Sequence, residues 1–379
     1  MQADLVIKNA KIVLPDEVIE GSLAVEDGAI SAIDLSHASG GVDFGGDYLV
    51  PGLVELHTDH LENHYHPRPS VYWDPMAALQ AHDAQIAGSG ITTVFDALRI
   101  GSDIEMPGMG DHVDVLLGAI VKAQADGRLR ADHMVHLRCE LPAYDVVEHF
   151  ERFCDLPIIR LASVMDHTPG QRQYQTLAKY TEYYQSKLHF TDEEMAAYIA
   201  DRHDEQKQYA DKHRRAILKR GRAAGIAFAS HDDATEEHVA ESLADGVSIA
   251  EFPTTLVAAD ASHKAGLAVL MGAPNVVRGK SHSGNISATD LAKAGLLDVL
   301  SSDYVPFALL QAAFVLPQRA EEISLPQSVA MVSRNPARAV GLEDRGEIAV
   351  GKRADFVRVA LIDGMPVVKA VWRQGERVS

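Results

Sequence analysis

Cysteine is nearly missing from this chain: Cys139 and Cys154 are the only two in 379 residues. Two thiols cannot build a disulfide scaffold, and they supply no Cys-x-x-Cys metal clasp. Aromatic residues are scarce too, at 6%, although the hydrophobic fraction reaches 46%, so a sizeable core is available. No segment has the long uncharged apolar run of a membrane helix, and Met1-Gln2-Ala3-Asp4 lacks the basic region that opens a secretory signal. The chain therefore reads as cytoplasmic. Basic charge is in deficit as well. A formal charge of −19 disfavours nucleic acid or an anionic membrane as a general partner, because such binding needs a broad basic surface. It leaves room for a small anionic substrate, since local clusters matter more than the total. Most of the acidic surplus is explained by solubility alone.

What is present is an apolar strand ending in chemistry: Pro51-Gly52-Leu53-Val54-Glu55-Leu56-His57-Thr58-Asp59. Residues two apart on a strand project to one face, so His57 and Asp59 offer an imidazole nitrogen and a carboxylate oxygen to one point. A divalent metal suits that point. An isolated His-x-Asp equally describes a strand end and a solvated loop, and the rest of the chain decides between them. Acid or imidazole groups recur just after apolar runs: Glu140 after residues 134–137, His167 after 161–165, His231 after 226–229 and Asp303 after 297–300. Ligand types at the ends of successive strands are what a metal-centred barrel requires.

The organisation of the chain agrees. At 379 residues it exceeds a typical single domain, yet α/β barrels with a small appendage run this long. Residues 1–50 and 346–379 share a strand-rich texture and are expected to pair as a composite β-sandwich domain. Between them, 51–345 alternates strand-like and helix-like segments, as in a parallel (β/α)8 TIM-like barrel. Its strand runs lie near 51–57, 91–97, 133–140, 157–166, 226–231, 247–252, 267–273 and 297–302. One connection is anomalous: a helical insertion over about 170–225, in which Thr191-Asp192-Glu193-Glu194 is a capping-box start. It reads either as a wall or lid over the barrel mouth or as a solvated helical hairpin or oligomer contact.

A β-flank, a PG-x-x-E-x-H-x-D strand, later His positions, an Asp on the last barrel strand and a closing G-x-x-A-D flank together resemble the amidohydrolase superfamily. Within it, Met165-Asp166-His167-Thr168-Pro169-Gly170-Gln171-Arg172, Ser230-His231-Asp232-Asp233-Ala234-Thr235, Glu251-Phe252-Pro253-Thr254-Thr255 and Ser281-His282-Ser283-Gly284-Asn285 are similar to the ribosyl-triphosphate diphosphatase family of the bacterial carbon–phosphorus lyase pathway. The order and number of these motifs, over essentially the whole chain, make the match specific. The resemblance implies release of pyrophosphate from a methylphosphonate-bearing ribosyl triphosphate during phosphonate use. It also exposes a departure. Most amidohydrolases carry His-x-His on the first strand, whereas this chain has His57-Thr58-Asp59, and a carboxylate is the harder ligand. Glu140 looks like the carboxylate that replaces the carboxylated lysine bridging two metals in many members.

The expected ligands are accordingly His57, Asp59, Glu140, His167, His231 and Asp303, holding one or two divalent ions (zinc, manganese or iron). Glu140 has an alternative partner in Arg138, and Glu251 is a ligand or an outer support. His60, His64 and His66 read as solvent or substrate contacts in a polar loop. A triphosphate repels hydroxide, so a catalyst must neutralise phosphate oxygens and activate a water. Asp303 is the expected general base. Arg172, Arg278, Lys280 and His282 are the expected substrate contacts, with Asn275, Ser281, Ser283 and Asn285 as further donors. Two other classes stay open: an amidohydrolase acting on a C–N bond, favoured by a neutral pocket, and a non-catalytic barrel scaffold, favoured by lost ligands. Homo-oligomerisation is left open.

Overall fold

The computed structural model describes residues 4–34, 40–102, 109–172, 189–281 and 284–379, together with 177, 180, 181, 184 and 185. Five strands open the chain: β1 (Leu5–Val13), β2 (Val18–Glu26), β3 (Ala29–Asp34), β4 (Val42–Asp43) and β5 (Tyr48–Pro51). Eight follow: β6 (Leu53–Thr58), β7 (Ile91–Ile100), β8 (Asp132–Glu140), β9 (Ile159–Met165), β10 (Ala227–His231), β11 (Ile249–Glu251), β12 (Ala268–Gly272) and β13 (Val299–Ser301). Three close it: β14 (Phe356–Ile362), β15 (Met365–Arg373) and β16 (Glu376–Arg377). The central strands are ordered β6 to β13 in one eight-stranded sheet, each beside its neighbour in sequence. Every resolved pairing within it is parallel, and a bridge from Thr58 to Asp303 brings its first and last strands together. This is a nearly closed (β/α) barrel. All eight expected strand runs are present.

The chain divides into two compact units: Met1–Asp96, Ala119–Met134 and Met271–Ser379 make the first, and Ala97–Gly118 with Val135–Leu270 make the second. In the first, both termini enter one sheet in the order β16-β15-β14-β5-β1-β2-β3, with β4 on β1. The join is antiparallel, Phe356 opposite Pro51 and Val357 opposite Val50. Alternation explains its core, because residues two apart along a strand face one side. Ile7, Ile12, Leu23, Val25, Ile30, Leu49, Phe356 and Trp372 form one buried cluster. Gly52 carries the chain from this sheet into β6. A Cβ there would lie 2.3 Å from the Thr92 hydroxyl, so the close approach requires glycine. Three arginines from the closing segment, Arg345, Arg353 and Arg373, converge on Asp132 at the start of β8, at 2.7, 2.5 and 3.1 Å.

In the second unit, the 32-residue helix Asp192–Ala223 begins at Thr191 with a capping box shared with Glu194, as the sequence leads one to expect. His213 Nδ1 lies 3.0 Å from the Leu141 carbonyl and docks this helix on the turn after β8. Cys139 and Cys154 are buried and unbridged. Among the described residues, no helix is long and apolar enough to cross a membrane.

Candidate metal centre

In the first unit, β6 is buried along its whole length, including Glu55, His57 and Thr58. Strand alternation puts Glu55 on the face that His57 shares. One Glu55 oxygen accepts the His57 N–H at 2.7 Å and the other accepts the Ser302 N–H at 2.6 Å. The Asp303 N–H in turn donates to the His57 carbonyl at 3.0 Å. A single carboxylate thus clamps the backbone at the ends of β6 and β13, where His57 and Asp303 stand. Burial outweighs the bonds from His57 and Ser302 and raises the Glu55 carboxyl to about 8. Asp303 itself has a φ of 55°. That left-handed conformation costs a non-glycine residue energy and persists where the surroundings impose it. Asp59 is the N-cap of α1 (His60–Tyr65), yet its carboxylate makes no capping bond.

The second unit builds its own cluster. Glu140 ends β8 almost fully buried; one oxygen lies 2.6 Å from His167 Nδ1 and 3.2 Å from an Arg99 nitrogen, and the other accepts the His167 N–H at 3.1 Å. Burial alone would raise its pKa, but the charges of His167 and Arg99 prevail and lower it. On β10 and β11, the parallel register sets His231 beside Glu251. His231 Nδ1 bonds one Glu251 oxygen at 2.7 Å, so Glu251 supports His231 through that oxygen.

His231 Nε2 lies 3.4 Å from Asp232 Oδ2. That oxygen is buried and accepts no hydrogen bond. Ligand atoms of His167, His231 and Asp232 all lie within 4.8 Å of one another. The donor set fits a divalent metal, and its histidine has the carboxylate support typical of metal-binding imidazoles. Asp232 and Phe252, the residues just past β10 and β11, have φ of 57° and 54°. The chain turns sharply there.

Arg172 is not arranged as expected for a substrate contact. It is 6% exposed, and its guanidinium is taken up by Asp233, by Glu241 at 2.8 Å and by the His231 carbonyl at 3.5 Å. Arg214 joins the same network through Glu241 at 3.0 Å and Asp245. Arg278 and Lys280 are exposed, on either side of the left-handed Gly279. His282 and Ser283 lie outside the described residues. Asn275 spends its side chain on the loop itself, accepting the Ala288 N–H at 3.1 Å and donating to the Ile286 carbonyl at 3.3 Å. Sequence reasoning missed Glu55, Arg99, Asp232 and the acids around Arg172. Only Glu55 carried a local signal, its i−2 spacing from His57.

Imidazole and carboxylate groups at the strand ends of a (β/α) barrel, with a sheet assembled from both chain termini, are the arrangement of a metal-dependent hydrolase of the amidohydrolase class. The amidohydrolase family profile matches residues 164–378, and the chain belongs to that family. It is 47% identical over 377 residues, 99% of this chain and all of the other, to the alpha-D-ribose 1-methylphosphonate 5-triphosphate diphosphatase of Escherichia coli (strain K12). Solved structures sharing the fold include the 5-methylcytosine deaminase of Klebsiella pneumoniae, with TM-score 0.65, 14% identity and coverage of 99% of this chain and 98% of that one. The N-acetylglucosamine-6-phosphate deacetylase of Pasteurella multocida has TM-score 0.64 at 14% identity, covering 98% and 99%.

Proposed function

We propose that this chain hydrolyses alpha-D-ribose 1-methylphosphonate 5-triphosphate to the 5-phosphate and pyrophosphate, as a step in phosphonate catabolism. The observation that carries the reading is the 47% identity along the full length of the Escherichia coli diphosphatase. The deaminase and deacetylase structures share the fold alone, and a fold does not choose a reaction.

His57, Asp59, Glu140, His167, His231 and Asp303 are the residues proposed to hold one or two divalent ions, zinc, manganese or iron; Asp232 joins them. Such an ion supplies a lowered water pKa and neutralises phosphate oxygens. Asp303 takes the proton of the attacking water at its carboxylate. The water oxygen bonds to the α phosphorus in line with the bridging oxygen, the α–β anhydride bond breaks, and its electron pair leaves on pyrophosphate. Arg278, Lys280 and His282 are proposed to anchor the terminal phosphates and to spread the charge that builds on the leaving group. Arg172, with its charge already matched, holds the His231–Asp233 turn in place.

The test is a product assay on ribosyl and nucleoside triphosphates, scoring pyrophosphate against single phosphate. Pyrophosphate from the ribosyl substrate is expected, and release of single phosphates sinks the diphosphatase reading. Oxygen-18 water then locates the attack: label is expected in the 5-phosphate, and label found only in pyrophosphate overturns attack at the α phosphorus.

A further inference from the structure

One element of the second unit reaches the ends of three successive strands, those that carry Glu140, His167 and His231. The helix Asp192–Ala223 buries Ala210, His213, Arg214, Ile217, Leu218 and Gly221, a spacing of three and four that forms one stripe. Gly221 sets the foot of this stripe against β10. A Cβ there would lie 2.4 Å from Phe228 Cζ, so the close packing requires glycine. About two turns nearer the helix start, His213 is 4% exposed and its Nδ1 lies 3.0 Å from the Leu141 carbonyl. A carbonyl can only accept, so Nδ1 carries the proton. Burial lowers the His213 pKa and favours the neutral ring, on which Tyr209 stacks with ring centres 5.2 Å apart. About two turns further toward the start, the Gln206 amide donates to Asp166 Oδ2 in a long bond of 3.4 Å.

These contacts fall beside the candidate ligands in the chain. Leu141 directly follows Glu140, and its N–H donates to the Met165 carbonyl at 2.9 Å while its own carbonyl accepts from His213. The backbone just past Glu140 is therefore pinned on both sides of one residue. Asp166 directly precedes His167, and its second oxygen accepts the Thr168 N–H at 3.0 Å. That carboxylate spans His167 as an Asx turn, and the Gln206 amide fixes its orientation. His231 is reached through charge: Arg214 bonds Asp245 and, at 3.0 Å, Glu241, which also takes Arg172 at 2.8 Å, and Arg172 donates to the His231 carbonyl at 3.5 Å. Since Glu140 bonds His167 Nδ1 at 2.6 Å, a shift of either turn is passed to both side chains. A lid would have to swing clear of the strand ends, and here that motion would break each of these bonds.

We propose that the helix Asp192–Ala223 is a splint for the metal centre, with His213 and Gln206 as positioning residues that set the backbone at Glu140 and His167. The inference rests on the proposed centre and gives the insertion a role other than lid, substrate wall or oligomer contact. Metal affinity responds to such outer support, because a ligand held off its productive geometry must be reoriented when the ion binds.

Metal-stripped full-length protein is titrated with zinc against a chromophoric chelator, and turnover is followed as pyrophosphate release. His213→Ala is expected to weaken zinc binding roughly tenfold or more, with kcat lowered and KM within about twofold of wild type. Gln206→Ala should weaken it to a smaller degree; it alters a half-buried side chain and carries the test where His213→Ala does not fold. His213→Asn, whose amide returns an N–H donor near the Nδ1 position, should restore zinc affinity toward wild type. Thr191→Ala, which removes the cap at the start of the same helix, is the control: it should lower the denaturation midpoint and leave zinc affinity unchanged. Wild-type zinc affinity in both His213→Ala and Gln206→Ala overturns the proposal, whether or not KM rises; a raised KM would make the helix a substrate wall. An equal loss of affinity in Thr191→Ala overturns it as well, because general loosening would then account for the effect. Zinc affinity is read without substrate, so these outcomes do not depend on the diphosphatase reading, which a wild type that releases no pyrophosphate would sink alone.

Discussion

Asp303 illustrates how one residue is pressed into position. Its φ is 55°, and its N–H is tied to the His57 carbonyl beside the Glu55 bonds to His57 and Ser302. If Asp303 moves the proton, Asp303→Asn keeps the size but removes the base, and turnover should fall roughly a hundredfold or more. Metal content should fall less than in His57→Ala; near-normal turnover in Asp303→Asn places the base elsewhere. Glu55→Gln tests the clamp. A glutamine amide offers one acceptor and one donor, so it satisfies one of the two N–H groups and confronts the other with a like dipole. The variant should lose about 1–3 kcal/mol of stability in denaturant titration, the cost of one unsatisfied buried donor. Unchanged stability would show that the strand ends hold each other without the carboxylate.

At the scale of the element, the turn after β10 depends on a charge network spread over several segments. Arg172 and Asp233 are both nearly fully buried, and removing one member of such a pair leaves the other charge uncompensated. Arg172→Ala is expected to destabilise by about 3–5 kcal/mol, measured as a shifted denaturation midpoint, whereas a residue acting only on substrate would change KM and leave the midpoint alone. The long helix of the insertion offers a smaller effect. Thr191 accepts the Glu194 N–H and donates to its side chain, and Thr191→Ala should cost roughly 1 kcal/mol. This cap was legible in four consecutive residues because a helix start is a local event. The network around Arg172 was not, because its partners stand 61 and 69 positions further along the chain.

For the whole molecule, the buried His82–Asp96–His133–Asp83 group makes stability depend on pH. Burial opposes the charge on His133, but Asp96 and Asp83 prevail and raise it to about 9; burial opposes the charge on Asp96, but His133 and His82 prevail and lower it to about 2. His133 therefore stabilises fully below about 6.5, its ordinary value, and the contribution is lost as pH rises through about 9. Asp96 stabilises above about 3.8, and that contribution is lost as pH falls through about 2. Glu55, raised to about 8, adds a loss of the same sign between about 4.5 and 8. Denaturation of the metal-free protein should show the contributions of His133 and Asp96 together greatest near pH 4 to 6.5, with a decline toward pH 9. His133→Gln should flatten the alkaline end of that decline and Glu55→Gln its earlier part; an unchanged profile in both assigns the dependence to other groups. Metal removal is a separate lever. If the proposed centre holds a metal, a chelator should abolish turnover and lower the melting temperature, because acids that share an ion repel once no cation neutralises them.

The sequence by itself determined the eight strand runs, the paired terminal flanks, the Thr191 cap and the acid or imidazole type at or just past the ends of β6, β8, β9, β10 and β13. Each depends on periodicity or on neighbours within a few positions, and backbone geometry converts such spacing directly into a face or a terminus. Tertiary structure decided the partners. Glu55 meets Ser302 across 247 positions, Glu251 supports His231 because the register of two strands sets them side by side, and Arg172 is spent on acids rather than offered to an anion. It also moved His60 and His64 from an expected polar loop onto a helix beside His82. Pairings of this kind follow from strand order and helix packing, which no single segment encodes, so the same side chain reads as a ligand, a support or a substrate contact until its neighbours are in place.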